Sequence, residues 1–574
     1  MDDNTPTHFN VLIAGTGLVE SILAAALSKS GYSVLQLDSA PYYGTQHASL
    51  SLTELHDWAL ANPAIAEPST RAPPPSLIAV SQRFALSLAP LVLRARGRAL
   101  DLLVRSKVST YLQFGLLGGV GLCTTSAPSA RVEVERVPAS KADVFNDPTL
   151  SLIEKRRLTK LLLFAAGEDA FADDKVLAEH PEISFLDYLK QSFNLSGKIA
   201  DSLAFALALC SSPSDLALPA LERIRSIIRS IGRYGPSPYL VGHYGGAGDL
   251  VGGFSRICAV WGGGQILGRP LLPLALSPPA GTPVPASQPP FMVHDHPPPP
   301  PAAPDVADST DTTRPLGIPV QLDEKEGGGR GEPTIFTGDW VVGSPHLLST
   351  LFPNASTSSS GQAREPLRTS ATDSDSRSIH LVAILSTPIP FPRPRVAPAN
   401  GAEQTEEDES PAGSSDSNLF VFPPRALHEA VGTVTAFQVG KGTMACPEGY
   451  HVLYLSAPIL AGEPTGSHRP STYLTPYLDS LLSLCPASPP PMPLYTVSHV
   501  LSSPTASAMP DLPPNFLLTP ELPSTNETRG LVTTLDEIVP VVQEMFWKIV
   551  GEEGRSEGVE FFKKDDSLDD DEDD

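Results

Sequence analysis

FNVLIAGTGLVESILAAALSKSGYSVLQLDSAPYYG, residues 9–44, is the stretch that decides the fold. It contains an apolar run at 9–14, a glycine pair, a helix-length stretch at 18–30 that ends at Gly31, and a second apolar run at 32–38. Strand-length runs on either side of a helix-length one predict a β-α-β unit. We therefore predict an α/β protein built on a Rossmann-like domain of the FAD/NAD(P)-binding kind.

The glycine pair is an incomplete dinucleotide fingerprint. Gly15 and Gly17 fill the first two glycine positions, and Asp38 ends the second strand where a ribose-binding acid would lie. The third glycine, which packs the helix against the strand, is replaced by Glu20. Its carboxylate would occupy the positive end of the helix dipole and add negative charge where a pyrophosphate would enter. We predict a vestigial motif without FAD or NAD; an FAD-dependent oxidoreductase remains the alternative.

No other motif indicates catalysis. The segment GKGT at 440–443 lacks the upstream glycine of a phosphate-binding loop, and neither G-x-S-x-G nor H-E-x-x-H occurs. The five cysteines form no C-x-x-C pair, which indicates neither a metal site nor a disulfide framework. The sequence therefore predicts no catalytic residue, no metal site and no enzymatic activity.

The charge and the termini limit the classes of partner. The net charge is −24, whereas phosphate contacts require clustered Lys and Arg, so we predict no nucleic-acid partner. The N-terminal MDDNTPTHFN lacks the basic region of a secretory signal, and no apolar run reaches the roughly 18 residues of a membrane span. We expect a soluble, cytoplasmic protein.

Proline and acidic residues mark segments that cannot bury enough apolar surface to fold. Of the 61 prolines, 17 lie between residues 270 and 334, and eight of the last ten residues are acidic. The segments that we predict to be disordered are the Pro-rich insert 270–333, two inserts near 353–377 and 393–417, and an acidic tail at 552–574.

The rest of the chain divides into one discontinuous α/β domain and one helical domain. The α/β domain is predicted from residues 1–137, 233–269 and 334–551, the last part ending in a helix. Apolar spacing near 3.6 residues predicts an all-helical domain at 138–232. The same spacing predicts a helix at 84–105, with Leu86, Leu93, Leu100 and Val104 on one face. Short strand-like runs on both sides of the inserts after 334 are expected to form one sheet.

The opening stretch closely resembles the family of Rab GDP dissociation inhibitors and Rab escort proteins. Three further blocks, in the family's order, support the resemblance: VPASKADVFNDPTLSLIEKRRLTKLLLF at 137–164, YGPSPYLVGHYGGAGDLVGGFSRICAVWGGG at 234–264 and MACPEGYHVLYLSA at 444–457. The KADVFND segment at 141–147 and the extra length favour the escort branch over the shorter inhibitors.

The resemblance implies a chaperone of GTPases rather than a catalyst. An escort protein binds newly made, GDP-bound Rab and presents it to the Rab geranylgeranyltransferase heterodimer. It then shields the geranylgeranyl lipid and delivers Rab to membranes, which implies transient peripheral membrane contact. An inhibitor that acts only in membrane recycling of Rab is the alternative within the family.

The resemblance also implies a Rab-binding platform. Tyr43 and Arg256 match its tyrosine and arginine, Asp249 stands where the family usually has glutamate, and Ile266 lies near a position usually held by methionine. Tyrosine and arginine are favoured interface anchors. From the residues alone, Tyr43 could equally cap the sheet, and Arg256 could pair internally with Asp249.

The helical domain is implied to hold the lipid and to dock the transferase. Ile199, Leu203 and Leu207 share one helical face and are the candidates for prenyl contact. Their pattern equally fits an ordinary bundle core. The family's transferase docks through an exposed aromatic and a basic residue, and Phe205, off that face, is the candidate aromatic.

Overall fold

The structure is a computed structural model. It describes residues 6–126, 131–138, 150–167, 171–272, 316–320, 334–344, 347, 377–392, 416–460, 469–502, 515–519 and 530–563. The KADVFND segment, most of the three predicted inserts and the acidic end after 563 lie outside these residues.

The first sheet contains the predicted β-α-β unit and is mainly parallel. Its order from one edge is Gly264–Leu267, Val34–Asp38, His8–Ala14, Thr334–Gly343 and Leu316–Val320, with Phe516–Leu518 also pairing parallel to Thr334–Gly343. Only the pairing of Leu316–Val320 is antiparallel. A mainly parallel sheet with a crossover helix confirms the Rossmann-like fold.

Three helices cover one face of this sheet. Leu18–Lys29 packs against both Ala247–Val260 and Gly530–Ser556. Leu18–Lys29 carries Glu20 in its first turn and Lys29 in its last, which complements the helix dipole at both ends. The apolar face that these helices share with the sheet forms one core, which we call the first core.

The second sheet has eight strands among the described residues. Their order is Ala66–Pro68, Tyr495–Ser502, Arg377–Leu385, His451–Pro458, Val434–Val439, Asn418–Phe422, Val120–Ser126 and Arg131–Arg136. Alternate side chains of Arg377–Leu385 enter different cores. Ile379 and Leu381 pack toward the helix Pro470–Leu482, whereas Val382 and Ile384 belong to the core of the helical domain. This period of two buries both faces.

The helical domain, here residues 150–232, consists of helices as predicted. They are Leu152–Ala166, Lys175–Glu179, Phe185–Phe193, Lys198–Asp201 with its π-helical continuation Ser202–Leu207, and Ala217–Ser230. Side chains of Ser151, Asp174 and Ser184 cap three of the N-termini.

The predicted helix at 84–105 is wrong. Leu86–Ser87 pairs with Ser49–Leu50, and Val92–Arg94 joins a three-stranded sheet with Tyr239–Gly242 and Phe114–Leu116. Pro90 and Gly97 interrupt the helical pattern, because proline lacks the amide donor and glycine disfavours a helix interior. Only Arg98–Ser106 is helical, and Val104 is exposed. Two α-helices, Leu52–Ala61 and Pro75–Ile78, also lie in the described residues. Four 3-10 turns accompany them: Thr45–His47, Ser81–Arg83, Val108–Tyr111 and Lys441–Thr443.

Three boundary predictions also need correction. Leu316–Val320 is a strand inside the predicted Pro-rich insert, because Ile318 and Val320 bury their side chains beside Thr334–Gly343. The strand Thr334–Gly343 lies in the first sheet, whereas Arg377–Leu385 lies in the second. The strands after 334 therefore do not form the single sheet that was predicted. The C-terminal helix reaches Ser556 across a kink at Gly551, and Phe561 and Phe562 are buried in the first core, so the predicted tail boundary at 552 is too early.

Within the described part of the chain, no helix has both the length and the apolarity needed to cross a bilayer.

Candidate functional site

The fingerprint turn is closely packed by the chain itself. Gly15 has φ +104°, which only glycine adopts without strain, and its amide donates to the carbonyl of Leu37 at 2.8 Å. A Cβ at Gly15 would lie 2.9 Å from the Cδ1 atom of Leu347. The space above this turn is therefore occupied by an apolar side chain.

Asp38 already accepts bonds from its own surroundings. The amide and hydroxyl of Thr16 donate to its Oδ2 atom at 3.0 and 2.6 Å, and the amide of Ala40 donates to Oδ1 at 2.9 Å. The hydroxyl of Thr45 is 3.4 Å from Oδ2. Burial raises the pKa of Asp38, and these bonds oppose that shift. The carboxylate oxygens of Asp38 therefore accept hydrogen bonds from the loop, where in a dinucleotide-binding protein they would accept them from a ribose.

Glu20 faces the second glycine of the turn. A Cβ at Gly17 would lie 2.5 Å from the Oε2 atom of Glu20, and the hydroxyl of Thr519 donates to Oε1 at 2.8 Å. Burial raises the pKa of Glu20, its own amide and Thr519 lower it, and the charge of Asp38 raises it further. The carboxylate lies where a pyrophosphate would need to approach the backbone, so Leu347, Asp38 and Glu20 together do not fit a dinucleotide.

Tyr43 lies beside this turn, half-buried against the first core. Its hydroxyl donates to the Oε1 atom of Gln265 at 2.9 Å, and burial, with Cys258 nearby, raises its pKa. Tyr43 thus packs over the sheet, as the residues alone allowed, and its side chain stays partly exposed. Gln265 and the candidate Ile266 are neighbours on the edge strand Gly264–Leu267, where Ile266 is half-buried.

Arg256 is exposed on the helix Ala247–Val260 and stacks on an aromatic ring. Its guanidinium carbon lies 4.4 Å from the ring centroid of Tyr111, which is 42% exposed. Asp249 lies two turns earlier on the same helix, and burial raises its pKa to about 6. Burial is the only cause of that shift, with no contribution from Arg256, so the structure does not show the internal pair that the residues alone allowed.

The structure brings three of the four platform candidates into one neighbourhood. Tyr43 contacts Gln265 beside Ile266, and the Nε2 atom of Gln265 donates to the carbonyl of Ser255, which precedes Arg256. Asp249 is separated from Arg256 by about 10 Å of helix.

The prenyl candidates pack as core residues. Leu203 and Leu207 are buried and Ile199 is partly buried, all in the cluster that joins the helical domain to the second sheet. They lie on Lys198–Asp201 and its π-helical continuation, a conformation that is frequent at functional sites. In this conformation they form the bundle core that the residues alone allowed.

The predicted exposure of Phe205 is wrong. Its side chain is 3% exposed and belongs to the same cluster as Leu203 and Leu207. Every residue from Leu203 to Leu207 is buried, because the segment packs between the helical domain and the strands Val120–Ser126 and Asn418–Phe422 of the second sheet. A buried ring cannot dock a partner, and we do not assign Phe205 to the transferase.

The sequence prediction missed three polar residues of this site. Thr16 joins Asp38 to the amide of Gly44, and Gln36 and Gln265 connect the turn to Tyr43. The available signal was Gln36 itself, a polar residue in the apolar strand VLQLD.

Comparisons with known proteins show which family this chain is similar to. Residues 1–278 match the family model described as GDP dissociation inhibitor. A protein of Drosophila melanogaster named Rab proteins geranylgeranyltransferase component A is 36% identical over 48% of this chain and 56% of its own length. The Saccharomyces cerevisiae protein named Rab GDP-dissociation inhibitor is 30% identical over 47% of this chain and 58% of its own length. The chain thus spans just over half the length of these two relatives.

The fold extends further than the sequence similarity. The crystal structure of Rab GDI from Plasmodium falciparum superimposes with a TM-score of 0.60 over 95% of this chain and 99% of that chain, at 20% identity. Together with the family match, this likeness extends over both sheets and the helical domain. Over residues 1–278, this chain is similar to the GDP dissociation inhibitor family.

Proposed function

We propose that this chain is a Rab escort protein. It binds newly made GDP-bound Rab GTPases, slows GDP release, presents them to Rab geranylgeranyltransferase and shields the prenylated C-terminus until delivery to a membrane. The observation that carries the proposal is the family match over residues 1–278, which includes Tyr43, Asp249, Arg256 and Ile266.

The geometry around these residues supports binding of a folded partner. Tyrosine and arginine provide large or planar contact groups that recur as binding hot spots. Arg256 is exposed and held over Tyr111, while Tyr43 presents part of its ring at the adjacent sheet edge. These groups are anchored before a partner arrives, which lowers the entropic cost of binding.

We further propose that the chain is not an enzyme and binds no FAD or NAD. The bonds that Asp38 accepts, the position of Glu20 against Gly17 and that of Leu347 against Gly15 support this proposal. In an FAD-dependent oxidoreductase, Asp38 would have to be free to bind a ribose, and Glu20 and Leu347 would have to leave room for the pyrophosphate.

Lipid shielding is proposed for the helical domain around Ile199, Leu203 and Leu207. Burying isoprenoid carbon is worth roughly 0.8 kcal/mol per CH₂, so a geranylgeranyl chain could offset the separation of helices in this core. The small side chains of Ala165 and Ala206 lie in the same cluster.

The decisive experiment is reconstituted prenylation with purified transferase, GDP-loaded Rab and geranylgeranyl diphosphate. We expect Rab to be modified only when this protein is added. Equal modification without it would contradict the escort proposal.

A recycling inhibitor is the second candidate, because relatives named Rab GDP-dissociation inhibitor also match. A pull-down of the transferase separates the two functions. An escort protein forms a ternary complex with Rab and the transferase, whereas a recycling inhibitor binds Rab and leaves the transferase in solution.

A further inference from the structure

The hydroxyl of Tyr43 begins a series of hydrogen bonds that runs through the side-chain amides of Gln265 and Gln36. Its hydroxyl donates to Gln265, and the Nε2 group of Gln265 donates both to the Oε1 atom of Gln36 at 3.1 Å and to the carbonyl of Ser255 at 3.1 Å. Because both protons of that amide are used, its oxygen can only face Tyr43. The hydroxyl is thereby held in one direction.

The other end of this hydrogen-bond series reaches the fingerprint turn at Gly15. Gln36 is fully buried in a parallel strand between Leu35 and Leu37. A buried amide is costly unless it is hydrogen-bonded, and the Nε2 atom of Gln36 lies 3.5 Å from the carbonyl oxygen of Gly15. The polar side chain at the centre of this strand therefore connects the turn with Gln265.

The backbone next to Tyr43 is fixed by the same turn. The amide of Gly44 donates to the hydroxyl of Thr16 at 3.1 Å, and that hydroxyl donates to Asp38. Gly44 has φ +106°, and a Cβ there would lie 2.8 Å from the backbone of Ala48. Tyr43 is thus held at its backbone by Thr16 and at its phenol tip by Gln265.

We propose that Gln265 is a positioning residue for the GTPase interface, with Gln36 holding Gln265 in turn. Gln265 fixes the direction of the Tyr43 ring, so that the partner meets a ring already ordered. The inference rests on the proposed function, since the partner is the GDP-bound Rab.

A double-mutant cycle tests the coupling. Gln265→Leu, Tyr43→Phe and the double variant are compared for affinity toward GDP-loaded Rab, with Gln82→Leu, an exposed glutamine, as the matched control. We expect Gln265→Leu to weaken binding about fivefold in the parent protein, which corresponds to the entropic cost of ordering one side chain. In protein that already carries Tyr43→Phe, we expect Gln265→Leu to have no further effect on affinity. An equal loss in both backgrounds, or no loss in either, would overturn the proposal.

A second measurement needs no partner. In protein labelled with 3-fluorotyrosine, the fluorine resonance of Tyr43 is the one that Tyr43→Phe removes. We expect Gln265→Leu to shift that resonance and Gln82→Leu to leave it in place; an unmoved resonance would overturn the positioning role. If the parent protein fails to bind GDP-loaded Rab, the proposed function fails, and the resonance still decides whether Gln265 holds Tyr43.

Discussion

The platform and the π-helical segment Ser202–Leu207 both carry predicted contact residues, but they present them differently. Arg256 is exposed and Tyr43 is partly so, each held by a ring or a hydrogen bond. Leu203 and Leu207 are buried in a core. The platform can therefore meet a folded protein as it stands, whereas a lipid can reach the helical segment only if packed helices separate. Under the proposed function, the surface for protein recognition is preformed and lipid binding requires rearrangement.

The largest expected effect is on stability, at Phe205. Removing its buried ring should lower the free energy of unfolding by about 3–5 kcal/mol, because a cavity forms in the core shared by the helical domain and the second sheet. Chemical denaturation measures this loss. Exposed Tyr234 gives the matched control, and Tyr234→Ala should change stability little.

An unchanged denaturation midpoint for Phe205→Ala, combined with weaker transferase binding, would restore the predicted exposed aromatic. It would also remove the contrast between a preformed platform and a packed helical segment.

The next effect concerns affinity at the platform. Tyr43→Ala and Arg256→Ala should each weaken binding of GDP-loaded Rab about 30-fold, since central tyrosine and arginine anchors contribute about 2 kcal/mol or more. Titration calorimetry measures the affinity, with Tyr234→Ala and the exposed Arg71→Ala as controls. Unchanged affinity in either platform variant, with the fold intact, would remove that residue from the interface.

A smaller effect is expected from three buried histidines, of which His380 and His499 lie in the second sheet and His47 in the turn Thr45–His47. Burial lowers the pKa of His47 and His499 to about 4, and burial together with His499 lowers that of His380. These rings are neutral when folded, while the unfolded chain takes up protons below about pH 6.5. Stability is therefore full above pH 6.5 and lost as pH falls toward 4, by about 1 kcal/mol each for His47 and His499 between pH 7 and 5.5.

Denaturation at several pH values measures this slope. His499→Asn should reduce it, whereas His180→Asn, on an exposed histidine, should not. A slope that stays the same in His499→Asn would show that His499 is not buried in its neutral form.

The smallest effect is expected at Asp249. Burial raises its pKa to about 6, so the carboxylate is charged at pH 7.5 and mostly protonated at pH 5. Asp249→Asn should weaken Rab binding about threefold at pH 7.5, as for a partly exposed ion pair, and have no effect at pH 5. An equal loss at both pH values would mean that the charge of Asp249 does not contribute.

Local patterns predicted the elements whose partners are close in sequence. The unit at 9–38 is confirmed because strand, helix and strand are each apolar and separated by glycine. The helix predicted at 84–105 is wrong because Leu86 and Val92 pair with strands far along the chain, and such pairing overrides helical spacing. The helix Pro470–Leu482 was missed because Pro476 lies inside it.

The sequence predicted candidate residues for the site, but it did not predict the hydrogen bonds that connect them. Tyr43 and Ile266 lie at one sheet edge, and Arg256 follows Ser255, whose carbonyl accepts a bond from Gln265; their role in Rab binding remains a prediction. Gln265 carries no signal in its own local sequence, because its role depends on a strand more than 220 residues earlier. The burial of Phe205 follows from the packing of Ser202–Leu207 against the second sheet, whose strands Val120–Ser126 and Asn418–Phe422 are distant in sequence.

The most direct test of a filled dinucleotide cradle is the visible absorption spectrum of the purified protein, recorded before and after incubation with excess FAD and removal of the free flavin. With Glu20 against Gly17 and Asp38 bonded to Thr16, we expect no flavin band in either spectrum. A flavin band of about one equivalent per chain would contradict the conversion of this cradle into a scaffold for GTPase binding.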